Sequence, residues 1–140
     1  MRGISYRRAH RVVLGALSLG LALSCSTTTA PNQHVCAVGE LGLHSMSISS
    51  GVTPTFTWSP ACTVDILSVY DSFVTVWSIS NDSTKLGSPV TYGIVPAGST
   101  QHFLFLQALQ AGVTYRVRLN NLNGSSPGGF DTIGEWAFVP

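Results

Sequence analysis

Three groups of residues in this chain have the types that chemistry requires. His34, Cys36 and His44 lie close together in sequence, and a zinc site needs three or four converging ligands. We read the two histidines instead as a solvated linker residue and a surface residue around a structural cysteine. No metal and no cofactor is therefore expected. Asp65 and Asp71 flank an apolar segment. Glycoside hydrolysis needs two carboxylates at a fixed separation in a cleft, one with a raised pKa. Six scattered acids give no sign of such a cleft. His102 could be combined with an aspartate and any of many serines as a Ser–His–Asp set, but a serine-rich chain allows that by chance. No His-Glu-x-x-His occurs. Asn81-Asp82-Ser83 matches no calcium loop and reads as a turn. The segment Asn120 to Gly129 has many glycines but no lysine after them, so it is no phosphate cradle. An enzyme is not expected.

The N-terminus says where the chain goes. Arg2, Arg7, Arg8 and Arg11 precede an uncharged run of 12 residues, Val12 to Leu23. A basic head, a short apolar middle and small residues before a cut describe a secretory signal. A spanning helix needs roughly 20 apolar residues. The run ends in Ala22-Leu23-Ser24-Cys25-Ser26, which resembles the lipobox of bacterial lipoproteins in its looser form, since the strict one has Leu at the position of Ala22. The resemblance implies cleavage before Cys25, acylation of its thiol and of the new N-terminus, and a membrane held through that lipid. Ser26 rather than Asp after the cysteine implies the outer membrane. An ordinary exported protein, periplasmic or secreted, with an incidental Cys25 is the alternative. The organisation expected is a signal over 1–24, a lipidated tether over 25–34 and one domain over 35–140.

Removal of the signal changes the charge. From Cys25 onward 116 residues remain, with Lys85, Arg116 and Arg118 against six acids, a formal charge of −3. Three scattered cations cannot neutralise a track of phosphates, so nucleic acid is not an expected partner. With Cys25 assigned to lipid, Cys36 and Cys62 are left as a pair, and an oxidising compartment favours their disulfide.

The domain reads as all-β. Thr55–Trp58 alternates between Pro54 and Pro60, the period-two mark of a strand with one buried face. Asp65–Tyr70 and Phe73–Ile79 are rich in β-branched and aromatic residues. Val90, Tyr92 and Ile94 predict another alternating face. Val113–Leu119 is the clearest strand, and Ile133–Val139 the last. His102–Leu109 reads as a strand or as a helical turn or two; we favour the strand. About seven short strands with turn signals between them predict a single antiparallel β-sandwich. Leu109-Gln110-Ala111-Gly112-Val113-Thr114-Tyr115 resembles the Leu-x-Pro-Gly-Thr-x-Tyr signature of fibronectin type III domains. Ala111 stands for the proline and Val113 for the threonine. The resemblance covers about Cys36 to Pro140 and implies a tyrosine corner built on Leu109, Gly112 and Tyr115, with Trp58 in the core. The cysteine pair lies outside that pattern, and a related immunoglobulin-like strand order remains an alternative.

These readings converge on a lipid-anchored envelope protein whose sandwich contacts another protein or a surface polymer. The loops Ser80–Ser88 and Asn120–Asp131, with Asn121 and Asn123, are candidate contact loops, as is an exposed sheet edge. The alternative is a carbohydrate-binding module that uses strand aromatics, with Trp77 and Trp136 as candidates.

Overall fold

Alternation of apolar and polar side chains decides which segments of this chain pair. A computed structural model describes residues 34–38, 45–102, 108–123 and 125–140. The signal, Cys25, His44 and most of the ambiguous 102–109 segment lie outside them. Among the described residues there is no helix, and ten strands follow in order: β1 (Ser45–Ile48), β2 (Thr55–Ser59), β3 (Thr63–Val64), β4 (Ile66–Asp71), β5 (Val74–Ser80), β6 (Leu86–Gly87), β7 (Val90–Thr91), β8 (Thr100–Gln101), β9 (Tyr115–Leu122) and β10 (Phe130–Phe138).

The long strands form a five-stranded sheet of order β10-β9-β4-β5-β8, and β1-β2-β7 form a second sheet. All their ladders are antiparallel. A short β3-β6 ribbon completes the pairing. The inward residues of both sheets share one core. Leu67, Val69, Trp77, Ile79, Val117, Leu119 and Ile133 come from the large sheet, and Phe56, Trp58 and Val90 from the small one. Phe56 meets Phe138 edge-on at 5.5 Å between ring centroids, and Trp77 lies 5.2 Å from Tyr92. The protein is thus an all-β, sandwich-like fold. Truncating a buried aromatic such as Phe56 to alanine in a core of this kind costs about 3–5 kcal/mol.

Several boundaries differ from the sequence reading, each for a local reason. The Val90 face stops after Thr91, because the chain turns at Gly93 (φ +79°), with Ile94 N–H bonded to Thr91 C=O. Ile94 is left exposed instead of joining Tyr92 in the core. β9 begins at Tyr115, since Gln110–Val113 form a turn with Gly112 at φ +81°. β10 starts three residues earlier than Ile133 and absorbs a bulge between Thr132 and Gly134. Phe73, expected to open a strand, sits at the β4–β5 turn after Ser72 (φ +54°) and is 99% exposed.

The expected disulfide is present: Cys36 and Cys62 are bonded, with Cα atoms 5.0 Å apart. It fastens the start of the domain beside β3, where Val35 makes a parallel bridge to Thr63 and Cys36 N–H bonds Thr63 C=O at 2.9 Å. The chain therefore enters the sheets at the end of β4 that carries Asp65 and Ile66. Ile66 pairs with Asn120 and Ser80 at this end, and Asp71 pairs with Tyr115 and Val74 at the other.

Candidate functional site

Register determines which side chains share the outward face of the five-stranded sheet. Residues directly opposite one another in antiparallel strands point to the same side. One row reads Glu135, Arg118, Ser68, Ser78; the next reads Ala137, Arg116, Tyr70, Thr75; a third reads Thr132, Asn120, Ile66, Ser80. Inward neighbours on the same strands are the core residues above, so the alternation of β4 and β9 gives the face its polarity.

Two grooves adjoin on this face and share Tyr70. The larger, about 390 Å³, runs from Phe130 on β10 across Asn120, Ile66, Ser68 and Ser78 to His102 beyond β8. The smaller, about 230 Å³, lies between Tyr70, the β4–β5 turn and the arginines of β9. The Arg118 guanidinium sits 4.9 Å from the Tyr70 ring centroid. Arg118 Nε also donates to Glu135 Oε2 at 2.7 Å, and Arg116 Nη1 donates to Glu135 Oε1 at 3.0 Å. These hydrogen bonds and the two positive charges hold the Glu135 carboxyl below its ordinary value, against a smaller opposing effect of burial.

The groove's exposed lining is mostly apolar, with buried polar side chains beneath it. Ser68 and Ser78 share a hydroxyl–hydroxyl bond of 2.8 Å. Asn120 is 3% exposed, and its Oδ1 has no hydrogen-bond partner among the described residues. Ser80 Oγ lies 2.6 Å from His102 Nε2, the separation of a nucleophile and its base. No carboxylate among the described residues is bonded to the imidazole to orient it, so the pair lacks the third member of a triad.

The carboxylates weighed in the sequence are committed elsewhere. Asp65 is buried at one end of β4, paired with Lys85, and its Oδ2 accepts from Leu122 N–H at 2.9 Å. Asp71 stands at the opposite end of the same strand, so the two do not converge. Asp131 accepts from Ser126 Oγ and Asn123 Nδ2, which lowers its pKa. Gly124-Ser125-Ser126-Pro127-Gly128 spells Gly-x-Ser-x-Gly, a match that motif reading of the sequence missed. It sits in the loop from β9 to β10, whereas a nucleophile elbow is a strand-to-helix turn. No group of three or more potential metal ligands occurs among the described residues, and Cys36 is spent in the disulfide.

The candidate binding residues separate. Trp77 is fully buried against Tyr92 and cannot stack on a ligand; the apolar Val76 next to it in sequence hid which face it takes. Trp136 is half-buried on the inward side, with its ring over Gly134, where an added Cβ would meet Cη2 at 2.1 Å. Asn121 spends its amide on the fold: Oδ1 accepts from Asp65 N–H at 3.2 Å and Nδ2 donates to Cys36 C=O. Asn123 braces its own loop through Asp131 and Ser125 N–H. Asn81 Oδ1 similarly takes the N–H groups of Ser83 and Thr84. Both candidate loops lie at the end of the sheet where the chain enters. At the other end, Leu109 is buried and Gln110 N–H donates to the Tyr115 hydroxyl at 3.1 Å across the Gly112 turn.

What sequence reasoning missed is the outward face itself. In sequence, Tyr70 reads as the end of a strand and Phe130 as part of the Asn120–Asp131 loop, and only the period-two placement of Ser68, Tyr70, Arg116 and Arg118 could have flagged the face. Comparison with family models, with curated proteins and with solved structures found no match to this chain.

Proposed function

We propose that this chain is a lipid-anchored protein of the bacterial cell envelope, presenting one fibronectin type III-like sandwich for contact with another protein or a surface polymer, without catalysis. The observation that carries the reading is the outward face of the five-stranded sheet. Its two grooves meet at Tyr70, while the carboxylates around it are tied into ion pairs and turns. Carboxyls held below their ordinary pKa, as at Asp131 and Glu135, are the reverse of a general acid, whose pKa is raised.

Other features support the same reading. The lipobox-like Ala22–Ser26 supports a fatty anchor on Cys25. The separation of β1-β2-β7 from β10-β9-β4-β5 and the Tyr115–Gln110 bond across a glycine turn agree with the tyrosine-corner resemblance. A disulfide between Cys36 and Cys62 is compatible with export.

Metabolic labelling with palmitate tests the anchor, with capture of cross-linked partners from membranes as the second arm. The full chain should carry label and sediment with membranes, and Cys25→Ala should lose both. An unlabelled wild-type chain that remains soluble would end the proposal.

A further inference from the structure

Resting on the contact-module reading, we infer that the outward face of the five-stranded sheet binds a neutral saccharide chain laid across the strands, from Phe130 to His102. The groove is lined by β10, β9, β4 and β5 and by His102 just past β8, and four inter-strand spacings amount to roughly 19 Å. Its volume of about 390 Å³ falls in the range of small-molecule sites.

The chemistry of floor and rim selects the ligand. Each serine hydroxyl offers one donor and two acceptor sites, so the mutually bonded Ser68–Ser78 pair keeps more acceptors than donors. Asn120 adds a buried carbonyl oxygen with no donor. An unmet buried acceptor is costly; Oδ1 is covered in the free protein, so a ligand hydroxyl, or a water it brings, supplies the missing proton once the Asn120 side chain shifts toward the groove. The floor therefore asks for donors. A carboxylate or phosphate, which brings only acceptors, is disfavoured there. The rim is different. Phe130 is 44% exposed, and Tyr70 presents a half-buried ring stiffened by Arg118. Such surfaces cover the C–H face of a sugar ring while its hydroxyls turn to the floor. Glu135 offsets one of the two arginine charges, which removes most of the attraction for a polyanion. This places binding on Tyr70 and Phe130 rather than on Trp77, which the fold encloses.

The test uses the full chain, purified from membranes in detergent, on an array of linear glucans, mannans, N-acetylglucosamine oligomers and a polyuronate. At least one neutral oligosaccharide should be retained. Calorimetry with that oligosaccharide should show Phe130→Ala and Tyr70→Ala weakening it at least about tenfold, with unchanged melting for the exposed Phe130 site. Ile94→Ala, beyond β7 on the other sheet, should bind as wild type. Retention of the polyuronate alone, retention of nothing, or affinity unchanged in both aromatic variants would overturn the inference. A silent array alongside palmitate labelling and a captured protein partner would sink this inference alone and leave the contact-module reading standing.

Discussion

Glu135 is held by two arginines, and that arrangement fixes its behaviour with pH. Its pKa is lowered from 4.5 by the hydrogen bonds and charge of Arg118 and then Arg116. A carboxylate depressed in the folded state adds stability above its unfolded pKa and loses that contribution as pH falls through the folded pKa. The contribution should thus be constant above about pH 5 and fade in the acid range below 4.5. Its size is small, since the carboxyl is 26% exposed and surface pairs are worth about 0.2–1 kcal/mol. Carboxyl-resolved NMR titration should place the Glu135 midpoint below 4.5, moving upward in Arg118→Gln. A midpoint at or above the ordinary value would contradict the ion-pair geometry. Little of this was legible in sequence, because Arg118 and Glu135 become neighbours only through the β9–β10 register. Asn121 shows the same limit. Its amide reaches Asp65 and Cys36 across 56 and 85 residues, and no local pattern announces such a bond.

At the scale of elements, the chain was more readable. β2 and most of β9 carry an alternation that survives in the structure, while β4 and β5, read from their β-branched and aromatic residues, are buried over three or four consecutive residues. The readings failed where a turn residue interrupts the period: Gly93 cuts β7 short, Gly112 delays β9, and Ser72 throws Phe73 outward. Pairs such as β3-β6 are two residues long, too short for any period to show. The cysteine pair was found by counting, and its position explains its role. It closes a segment of sequence separation 26 and secures a region that the Val35 bridge, the bonds around Thr63 and the Asn121–Cys36 bond also join to the sheets. On the chain-entropy model such a closure is worth about 3–4 kcal/mol. Urea unfolding of Cys36→Ser/Cys62→Ser should show a loss of that order with a steeper slope, because the unbridged unfolded chain exposes more surface. A loss below about 0.5 kcal/mol, within the range of ordinary surface substitutions, would mean that the unfolded chain is not what the bond restrains.

For the whole molecule, the direction in which the domain is held matters most. The chain enters at the Asp65–Ile66 end of β4, beside the loops Asn81–Lys85 and Asn123–Gly129. The exposed Phe73 and Val74, the Gln110–Tyr115 corner and the last residues of β10 gather at the other end. If Cys25 is fixed in a membrane, the two loops first favoured for contact face the lipid, and the outward sheet face and hairpin tip stand clear. With that anchor, residues 26–33 would limit the clearance, because a fully extended chain spans at most about 3.3–3.6 Å per residue. Deleting Thr27–Gln33 should therefore press the entry end against the bilayer. On intact membranes, a cysteine-reactive polymer should label Ser125→Cys several times more slowly in the deleted chain than in the full-length one. Phe73→Cys, at the far end, should label at the same rate in both. Equal slowing at the two positions, or none at either, would show that the domain has no fixed orientation toward its anchor. In that case the assignment of the outward face as the presented surface would lose its geometric basis.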